Sequence, residues 1–363
     1  MTLILGIESS CDETAAAVVD RGRVIYSNVI ATQHQLHERY RGVVPEIASR
    51  AHLEKIQGVI AQALSDAKIG YEDLAAVAVG NRPGLIGSLM VGVSAAKAIA
   101  WATGKPLIGV DHVRSHLYAG SLSDEKKPMQ GQAREEIMPY PALGLVVSGG
   151  HTSMYDMTSA TVATLIGRTI DDAIGEAYDK AAVILGLGYP GGPNLDKLAQ
   201  TGDGGAYDLP QSMLAKDSLD FSYSGLKTAL LYKVRGYPKG RGAGAVYERS
   251  VEDLSLGQLA DLAASFQNAA TAVVIKKLKR AYQSMAGQGR QTQGLIVGGG
   301  VSANSLLRER LVKFGKDFGL EVFIPPMDVC LDNAAMIAGL AYRYYLDGRF
   351  DDLSLSAVAT TRI

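Results

Sequence analysis

Leu3-Ile4-Leu5-Gly6-Ile7-Glu8 is a short apolar run that leads into a polar turn. Apolar runs of this length, bounded by turn residues, are typical of buried strands. Residues 15–20 and 24–29 form two further runs, and Asp20-Arg21-Gly22 lies between them as a hairpin turn. The sequence therefore predicts an antiparallel β-unit near the start of the chain.

The same pattern returns in the middle of the chain. Residues 142–147 are apolar, Ser148-Gly149-Gly150-His151-Thr152 forms a small polar turn, and residues 153–156 favour a second strand. We interpret this as an internal repeat. Helical periodicity and further strand-like runs alternate around both copies, which predicts an α/β fold with mixed sheets. The helices are predicted at 52–67, 84–102, 256–286, 303–318 and 333–346, and the strands at 75–79, 107–110, 294–297 and 321–324.

Composition narrows the class of protein. Of 363 residues, 47% are hydrophobic and 20% are charged, as in ordinary globular proteins. The formal net charge of -1 argues against wholesale nucleic-acid binding, so any RNA contact needs a local basic patch or a partner. Two cysteines cannot form a disulfide framework, which fits a cytoplasmic location. No uninterrupted apolar run reaches about 18 residues, so we expect no membrane span.

Two histidines four residues apart, His112 and His116, suggest a metal site. On a helix, residues i and i+4 share one face. No Glu follows His112, so the metalloprotease pattern with its general base is absent. Asp332 is a candidate third ligand, and two histidines with one carboxylate suit zinc or iron(II). The alternatives are a pair of surface histidines and, for Asp332, a helix N-cap.

Glycine-rich turns and one acidic pair are the other candidates for chemistry. Residues 148–152 and 298–304 place glycines where backbone N–H groups can approach a phosphate, although a tight hairpin or an Asn304 helix cap explains them equally well. Residues 189–196 form a rigid Pro-Gly turn that can lie against a flat ligand. Asp12 and Glu13 lie in the first hairpin and can act as a base or hold a phosphate.

Together these segments resemble the bacterial TsaD family of tRNA threonylcarbamoyladenosine transferases, once called O-sialoglycoprotein endopeptidase or Gcp. The resemblance runs in order over about residues 3–345. It rests on residues 6–14, 42–50, 112–116, 147–152, 178–180, 189–193, 221–227 and 298–304.

The resemblance implies an actin-like and sugar-kinase-like (ASKHA) duplicated two-lobe fold with a central ligand cleft. We expect residues 1–111 plus 333–363 to form the N-terminal lobe and residues 112–332 the C-terminal lobe. Residues 121–140 and 233–249 are expected to be polar surface loops. The implied reaction transfers a threonylcarbamoyl group from threonylcarbamoyl-AMP to N6 of the adenosine 3′ of the anticodon in tRNAs that read ANN codons, with release of AMP.

The resemblance also implies roles for particular residues. One divalent metal ion per subunit, Fe(2+) or Zn(2+), is expected on His112, His116 and Asp332. Asp12 and Glu13 match the acidic pair near the reacting centre, as base or as organiser of the site. The adenylate is expected to contact Val146, Val147, Ser148, Gly149, Gly150, Asp179, Gly192, Asp196 and Asn304. Three positions depart from the family pattern: Arg82 replaces a small residue, Val-Arg-Ser separates the two histidines, and Val146 stands where archaeal relatives have a Tyr ligand.

The implied partners are tRNA, threonylcarbamoyl-AMP, a TsaB paralogue, a TsaE ATPase and the threonylcarbamoyl-AMP synthase, with no membrane. We expect Lys233 to Arg249 and Lys276 to Arg280 to contact phosphates, although a solvated loop and helix face explain them as well. Two alternative functions share the fold class: a sugar or acetate kinase, and a non-catalytic scaffold paralogue. A metalloprotease is disfavoured because no base follows His112.

Overall fold

The computed structural model describes residues 1–40, 42–124, 138–188, 190–212, 214–240 and 246–360. These residues form two compact units. Unit 1 comprises Met1–Met138, Thr158–Ala163 and Pro325–Ile363, and unit 2 comprises Pro139–Met157 and Thr164–Ile324. Parts of the two predicted surface loops, residues 125–137 and 241–245, lie outside the described residues.

The division between the units differs from the expected boundaries after residues 111 and 332. The chain from His112 onward stays in unit 1 because Tyr118, Ala119 and Leu122 pack in the same core as the last helix, residues 334–346. A cut at residue 112 would remove these buried side chains from their packing partners.

Each unit is built on a mixed sheet. Unit 1 contains β1 (Leu3–Glu8), β2 (Glu13–Asp20), β3 (Val24–Thr32), β4 (Leu74–Arg82), β5 (Leu107–Asp111) and β6 (Ser123–Asp124), in the order β5-β4-β1-β2-β3-β6. Unit 2 contains β7 (Ala142–Val147), β8 (Thr152–Met157), β9 (Ala163–Arg168), β10 (Gly294–Gly298) and β11 (Glu321–Phe323), in the order β11-β10-β7-β8-β9.

The two sheets share one strand order, which confirms the duplication. β1 pairs antiparallel with β2 and parallel with β4, and β4 pairs parallel with β5. β7 in the same way pairs antiparallel with β8 and parallel with β10, and β10 pairs parallel with β11. β6 is an addition at the edge of the first sheet, parallel to β3.

Ten α-helices surround these sheets in the described part of the chain, with several short 3-10 turns between them. They are α1 (His34–His37), α2 (Pro45–Ala67), α3 (Ile86–Thr103), α4 (His112–His116), α5 (Ile174–Ile184), α6 (Gly191–Ala199), α7 (Ser224–Arg235), α8 (Leu256–Gly287), α9 (Ser305–Phe318) and α10 (Ala334–Leu346).

The core of unit 1 follows from the alternation of side chains along β1. Leu5 and Ile7 pack with side chains of α2 and α3 on one face of the sheet, while Ile4 packs with α10 on the other. Gly6 shares the face of Ile4, and a Cβ atom there would collide with the backbone of Ala334. The glycine therefore lets α10 approach β1 closely, which brings the loop before α10 to the end of the sheet.

One described helix, α3, is long and apolar enough by length and composition to cross a membrane. Lys97 interrupts the apolar run of this helix. Val93, Ala96 and Ala100 of α3 are buried in the core of unit 1, whereas Ile86, Met90 and Trp101 are exposed. The packing of unit 1 therefore accounts for one face of this apolar helix.

Unit 2 places α5 to α9 around a sheet whose strand β7 is buried along its whole length. Phe266 on α8 packs edge-on against Tyr178 on α5, with ring centroids 5.5 Å apart. The two glycine-rich turns after β7 and β10 lie at the carboxyl ends of neighbouring parallel strands. In α/β sheets, this edge is where ligands bind.

Candidate metal and nucleotide sites

The histidine pair occupies a five-residue helix directly after β5. Asp111 ends the strand and caps α4, since its carboxylate accepts a hydrogen bond from the backbone N–H of Arg114 at 3.1 Å. His112 and His116 are both buried, and their ring centroids are 4.8 Å apart. The predicted helix is therefore present, whereas the alternative of two surface histidines is wrong.

Asp332 lies beside both rings. Its Oδ1 atom is 3.2 Å from His116 Nε2 and 3.6 Å from His112 Nε2. It does not cap α10, because Asn333 occupies the cap position and accepts a hydrogen bond from Met336 N at 3.0 Å. The cap alternative for Asp332 is therefore wrong, and its carboxylate points to the histidine pair.

These three residues fit a divalent metal ion. One ligand atom from each lies within 4.8 Å of the others. Among the described residues, Nδ1 of buried His116 has no hydrogen-bond partner, and its Nε2 has only the contact with Asp332 Oδ1 at 3.2 Å. A buried polar nitrogen without a hydrogen-bond partner destabilises the folded protein, and coordination to a cation would offset that cost. The donor set of two imidazoles and one carboxylate suits zinc or iron(II).

Glu8 is a further candidate site residue, beyond those that the sequence pattern predicts. It ends β1 in a fully buried position, and its Oε2 atom is 3.0 Å from His112 Nδ1. A carboxylate at Nδ1 holds that nitrogen protonated and leaves Nε2, on the side of Asp332, to act as the ligand. The available signal was a glutamate at the end of an otherwise apolar strand.

The charges around His112 perturb its protonation strongly. Burial lowers the pKa of His112, but the negative charges of Glu8 and Asp332 outweigh it and raise this pKa to about 10. Burial raises the pKa of Glu8, whereas the charge and hydrogen bond of His112 outweigh it and lower the pKa overall. The Glu8–His112 pair therefore holds a proton at neutral pH, which a bound cation would have to displace.

The acidic pair lies in unit 1 with a third histidine. His34 Nε2 is 3.2 Å from Glu13 Oε1 and 3.8 Å from Asp12 Oδ2. Burial raises the pKa of Glu13 to about 8, and Asp332 and Asp12 add to this rise, while the hydrogen bond from His34 opposes it. A carboxyl group with a pKa near neutrality suits proton transfer. No pattern in the sequence predicts this position of His34.

A buried histidine also holds the loop between β1 and β2. His52 Nε2 is 3.0 Å from the backbone oxygen of Cys11, and its Nδ1 is 2.8 Å from the hydroxyl of Thr14. Since the carbonyl can only accept, Nε2 carries the proton and Nδ1 accepts from the hydroxyl. His52 therefore ties α2 to both ends of the segment that carries Asp12 and Glu13.

Arg82, which departs from the family pattern, lies at the end of β4. Its Nε atom is 3.7 Å from Oδ2 of Asp111, the residue that caps the histidine helix. Arg82 therefore contacts Asp111, the N-cap of the histidine helix, and not His112, His116 or Asp332 themselves.

In unit 2, the turn after β7 combines a tight hairpin with open backbone. Ser148 N donates to His151 O at 2.8 Å, and His151 N donates to Ser148 Oγ at 3.1 Å. Gly149 and Gly150 are exposed, and a Cβ atom on either would meet nothing within 4 Å. Val146 and Val147 are fully buried, so a ligand at this edge would meet their backbone only.

A network of neutral donors surrounds Asp196. Its Oδ1 atom accepts hydrogen bonds from Gln267 Nε2 at 2.9 Å, Asn304 Nδ2 at 3.2 Å and Ser305 Oγ at 2.7 Å. Asn304 also caps α9, because its Oδ1 accepts from Leu307 N at 3.0 Å. The structure thus joins two predicted adenylate residues, and the cap alternative for Asn304 also holds.

The other predicted adenylate residues form a second pair at the start of α6. Asp179 Oδ1 accepts a hydrogen bond from Gly192 N at 3.2 Å. Gly299, with φ of +93°, lies against Val147, where a Cβ atom would collide with the backbone. This close approach brings the turn after β10 to the turn after β7.

All of the predicted adenylate residues lie in unit 2, and all of the predicted metal and acidic residues lie in unit 1.

The duplicated sheets and their strand-end sites define a protein of the actin- and sugar-kinase-like class. Nucleotide-bound full-length HypF superposes with a TM-score of 0.57 at 12% identity, covering 96% of this chain and 56% of that chain. HypF of T. kodakarensis gives 0.55 at 14% identity, covering 98% and 49%. These likenesses show the fold alone.

Sequence comparison identifies the family. The family model of TsaD, tRNA N6-adenosine threonylcarbamoyltransferase, matches residues 24–339. The transferase of Moorella thermoacetica is 46% identical over 357 residues, or 98% of this chain and 96% of the relative. That of Syntrophus aciditrophicus is 45% identical over 360 residues, or 98% and 96%. The chain belongs to the TsaD family. It is a transferase that converts an adenosine of tRNA to threonylcarbamoyladenosine.

Proposed function

We propose that this transferase moves the threonylcarbamoyl group of threonylcarbamoyl-AMP to N6 of the adenosine 3′ of the anticodon in tRNAs that read ANN codons, with release of AMP. The observation that carries the proposal is the convergence of His112, His116 and Asp332 beside Glu13. This arrangement combines a metal-ligating group with a carboxyl group of raised pKa in one unit.

Unit 1 is assigned to the reacting group. His112, His116 and Asp332 would hold one divalent ion, iron or zinc, which when bound polarises a carbonyl as a Lewis acid. Adenine N6 is a poor nucleophile, so Glu13 in its ionised form is proposed to accept the proton that N6 loses. Asp12 and His34 hold Glu13 in place, and Glu8 orients His112.

Unit 2 is assigned to the adenosine and phosphate of the donor. The exposed backbone of Gly149 and Gly150 suits the phosphate, because no Cβ atom blocks the approach. Asp196 and Asn304 suit the polar edges of ribose or base, as do Asp179 and Gly192. Val146, Val147 and Ser148 contribute the strand end that carries the turn.

We also propose the partners that the family resemblance implies. The mixed anhydride donor must be supplied by an ATP-dependent synthase, and a TsaB paralogue and a TsaE ATPase are proposed as protein partners in the cytoplasm. The support for these partners is the membership of the family.

A reconstitution tests the reaction. The full chain is incubated with tRNA, labelled threonine, bicarbonate, ATP and the partner enzymes, and label is expected in tRNA at the adenosine 3′ of the anticodon. A folded, metal-loaded chain that gives no labelled tRNA overturns the proposal. Sugar-dependent release of ADP would instead favour the kinase alternative.

A further inference from the structure

An open groove runs between α8 and α9 of unit 2, with a volume of about 530 Å³. Its floor includes Ile275, Phe314 and Phe318. Four cationic side chains line it as well: Lys276, Lys279, Arg310 and Lys313. Asp317 is its one acidic residue among the described lining. The groove therefore combines an apolar floor with a positively charged rim, in a chain whose net charge is -1.

The hydrogen bonds of two of these cations go to neutral acceptors. Lys276 Nζ donates to Gln211 Oε1 at 2.6 Å. Arg310 Nη1 donates to the backbone oxygen of Asn268 at 2.9 Å and to Thr271 Oγ1 at 2.6 Å. Neutral acceptors hold a cation in position without cancelling its charge. Both side chains are thus oriented and keep their charge, and the carboxylate of Glu309 on α9 interacts with the charge of Arg310.

The other two cations differ from each other. Lys279 is exposed on the rim, one turn of α8 beyond Lys276. Lys313 forms an ion pair with Asp317 on α9, with 2.8 Å between Nζ and Oδ2. The acidic residue of the groove is therefore matched by Lys313, which leaves Lys276, Lys279 and Arg310 as the source of positive charge.

The two other cationic residues of residues 276–280 on α8 hydrogen-bond to backbone oxygens of unit 2. Lys277 is buried, and its Nζ donates to the backbone oxygen of Ser218 at 2.7 Å. Arg280 donates to the backbone oxygens of Ala215 and Ser218 at 3.2 and 2.6 Å. Lys277 and Arg280 thus hydrogen-bond to residues 215–218, and Lys276 and Lys279 are the residues of this segment that line the groove.

We propose that the α8–α9 groove binds the phosphate backbone of the tRNA substrate. The inference rests on the proposed function, which requires the chain to hold a polyanion despite its net charge of -1. Phosphates would pair with Lys276, Lys279 and Arg310, and the apolar floor would take the face of a ribose or of an unstacked base. Charge complementarity favours an anionic occupant, and the proposed function makes tRNA that occupant rather than a free nucleotide or an acidic peptide.

The test is a double charge reversal in the full chain, K276E/K279E, in the reconstituted reaction. We expect the KM for tRNA to rise about tenfold or more, while kcat and the KM for threonylcarbamoyl-AMP stay within about twofold. The slope of log KM against log salt should fall by about two, because about one unit is lost for each phosphate contact. K276R/K279R keeps both charges and should keep the wild-type KM for tRNA.

The matched control, K55E/K105E, makes the same change in net charge on exposed or half-exposed lysines of unit 1. A uniform charge effect would raise the KM for tRNA equally in both double variants and would overturn the proposal. An unchanged KM for tRNA in K276E/K279E also overturns it, whether the groove then binds AMP or a partner's acidic peptide. Failure of the proposed function gives a different result from failure of the groove proposal, because even the wild-type chain would then put no label in tRNA.

Discussion

The two candidate sites are built from different chemical groups, although they lie at corresponding edges of duplicated sheets. The unit 1 site consists of titratable side chains: Glu8, Glu13, His112, His116 and Asp332. The unit 2 site consists of exposed glycine backbone and of amide and hydroxyl groups around Asp196. This difference supports the proposal that one copy of the fold carries the chemistry and the other binds the donor.

The strands before the two turns explain part of this difference. β1 ends in Glu8, whose carboxylate is buried against His112, whereas β7 ends in Val147, which has no polar side-chain atom. At the same position of the repeat, one sheet thus presents a charge and the other presents backbone only. Variants in unit 1 should therefore change rates and metal content, and variants in unit 2 should change the KM for the donor.

The largest effect is expected from H116A. Removing one of two imidazoles leaves too few ligands for a divalent ion, so metal content and transfer should both be lost. Elemental analysis of anaerobically purified protein and the transfer assay measure this, and AMP binding by calorimetry should persist. H37N, which alters a buried histidine outside the metal group, should retain its metal. A loss of AMP binding in H116A would break the division between the two units.

The next effect is expected from E13Q. Loss of a positioned general base costs about 10²–10⁴-fold in kcat. With its pKa raised to about 8, Glu13 is protonated below that pH and ionised above it. The kcat of the wild-type enzyme should therefore rise with pH through about 8, and the remaining activity of E13Q should lack this rise. The exposed E176Q variant serves as control, and an unchanged pH profile in E13Q would exclude Glu13 as the base.

Much of the fold and part of each site could be predicted from the sequence. The His112 and His116 spacing predicts a shared helix face, and the repeated strand-turn-strand pattern predicts the duplicated sheets. Glu8 and His34 could not be predicted as partners, because they contact His112 and Glu13 through pairings between segments distant in sequence. The unit boundaries were missed for the same reason, since Leu122 packs with α10 only in the folded chain.

A smaller effect is expected from E8Q, on the pH dependence of metal binding. The pKa of His112 is raised to about 10, so a metal ion must displace a proton at neutral pH. Wild-type metal affinity should therefore rise about tenfold per pH unit between pH 6 and 8. Without the charge of Glu8 the pKa of His112 falls, and the metal affinity should depend less steeply on pH. Metal titrations at several pH values measure it, with exposed E54Q as control, and equal slopes would exclude the Glu8 charge as the cause.

The smallest effect is expected from N304A in unit 2. The amide contacts Asp196 and Gln267 and also caps α9, so its loss should raise the KM for threonylcarbamoyl-AMP about tenfold and cost about 1 kcal/mol of stability. S255A removes the equivalent cap of α8 in the same unit and should cost similar stability with an unchanged KM. Denaturant unfolding and donor titration separate the two contributions. If both variants shift the KM alike, Asn304 acts on the donor only through the stability of unit 2, and the binding role of this site rests on the glycine turns.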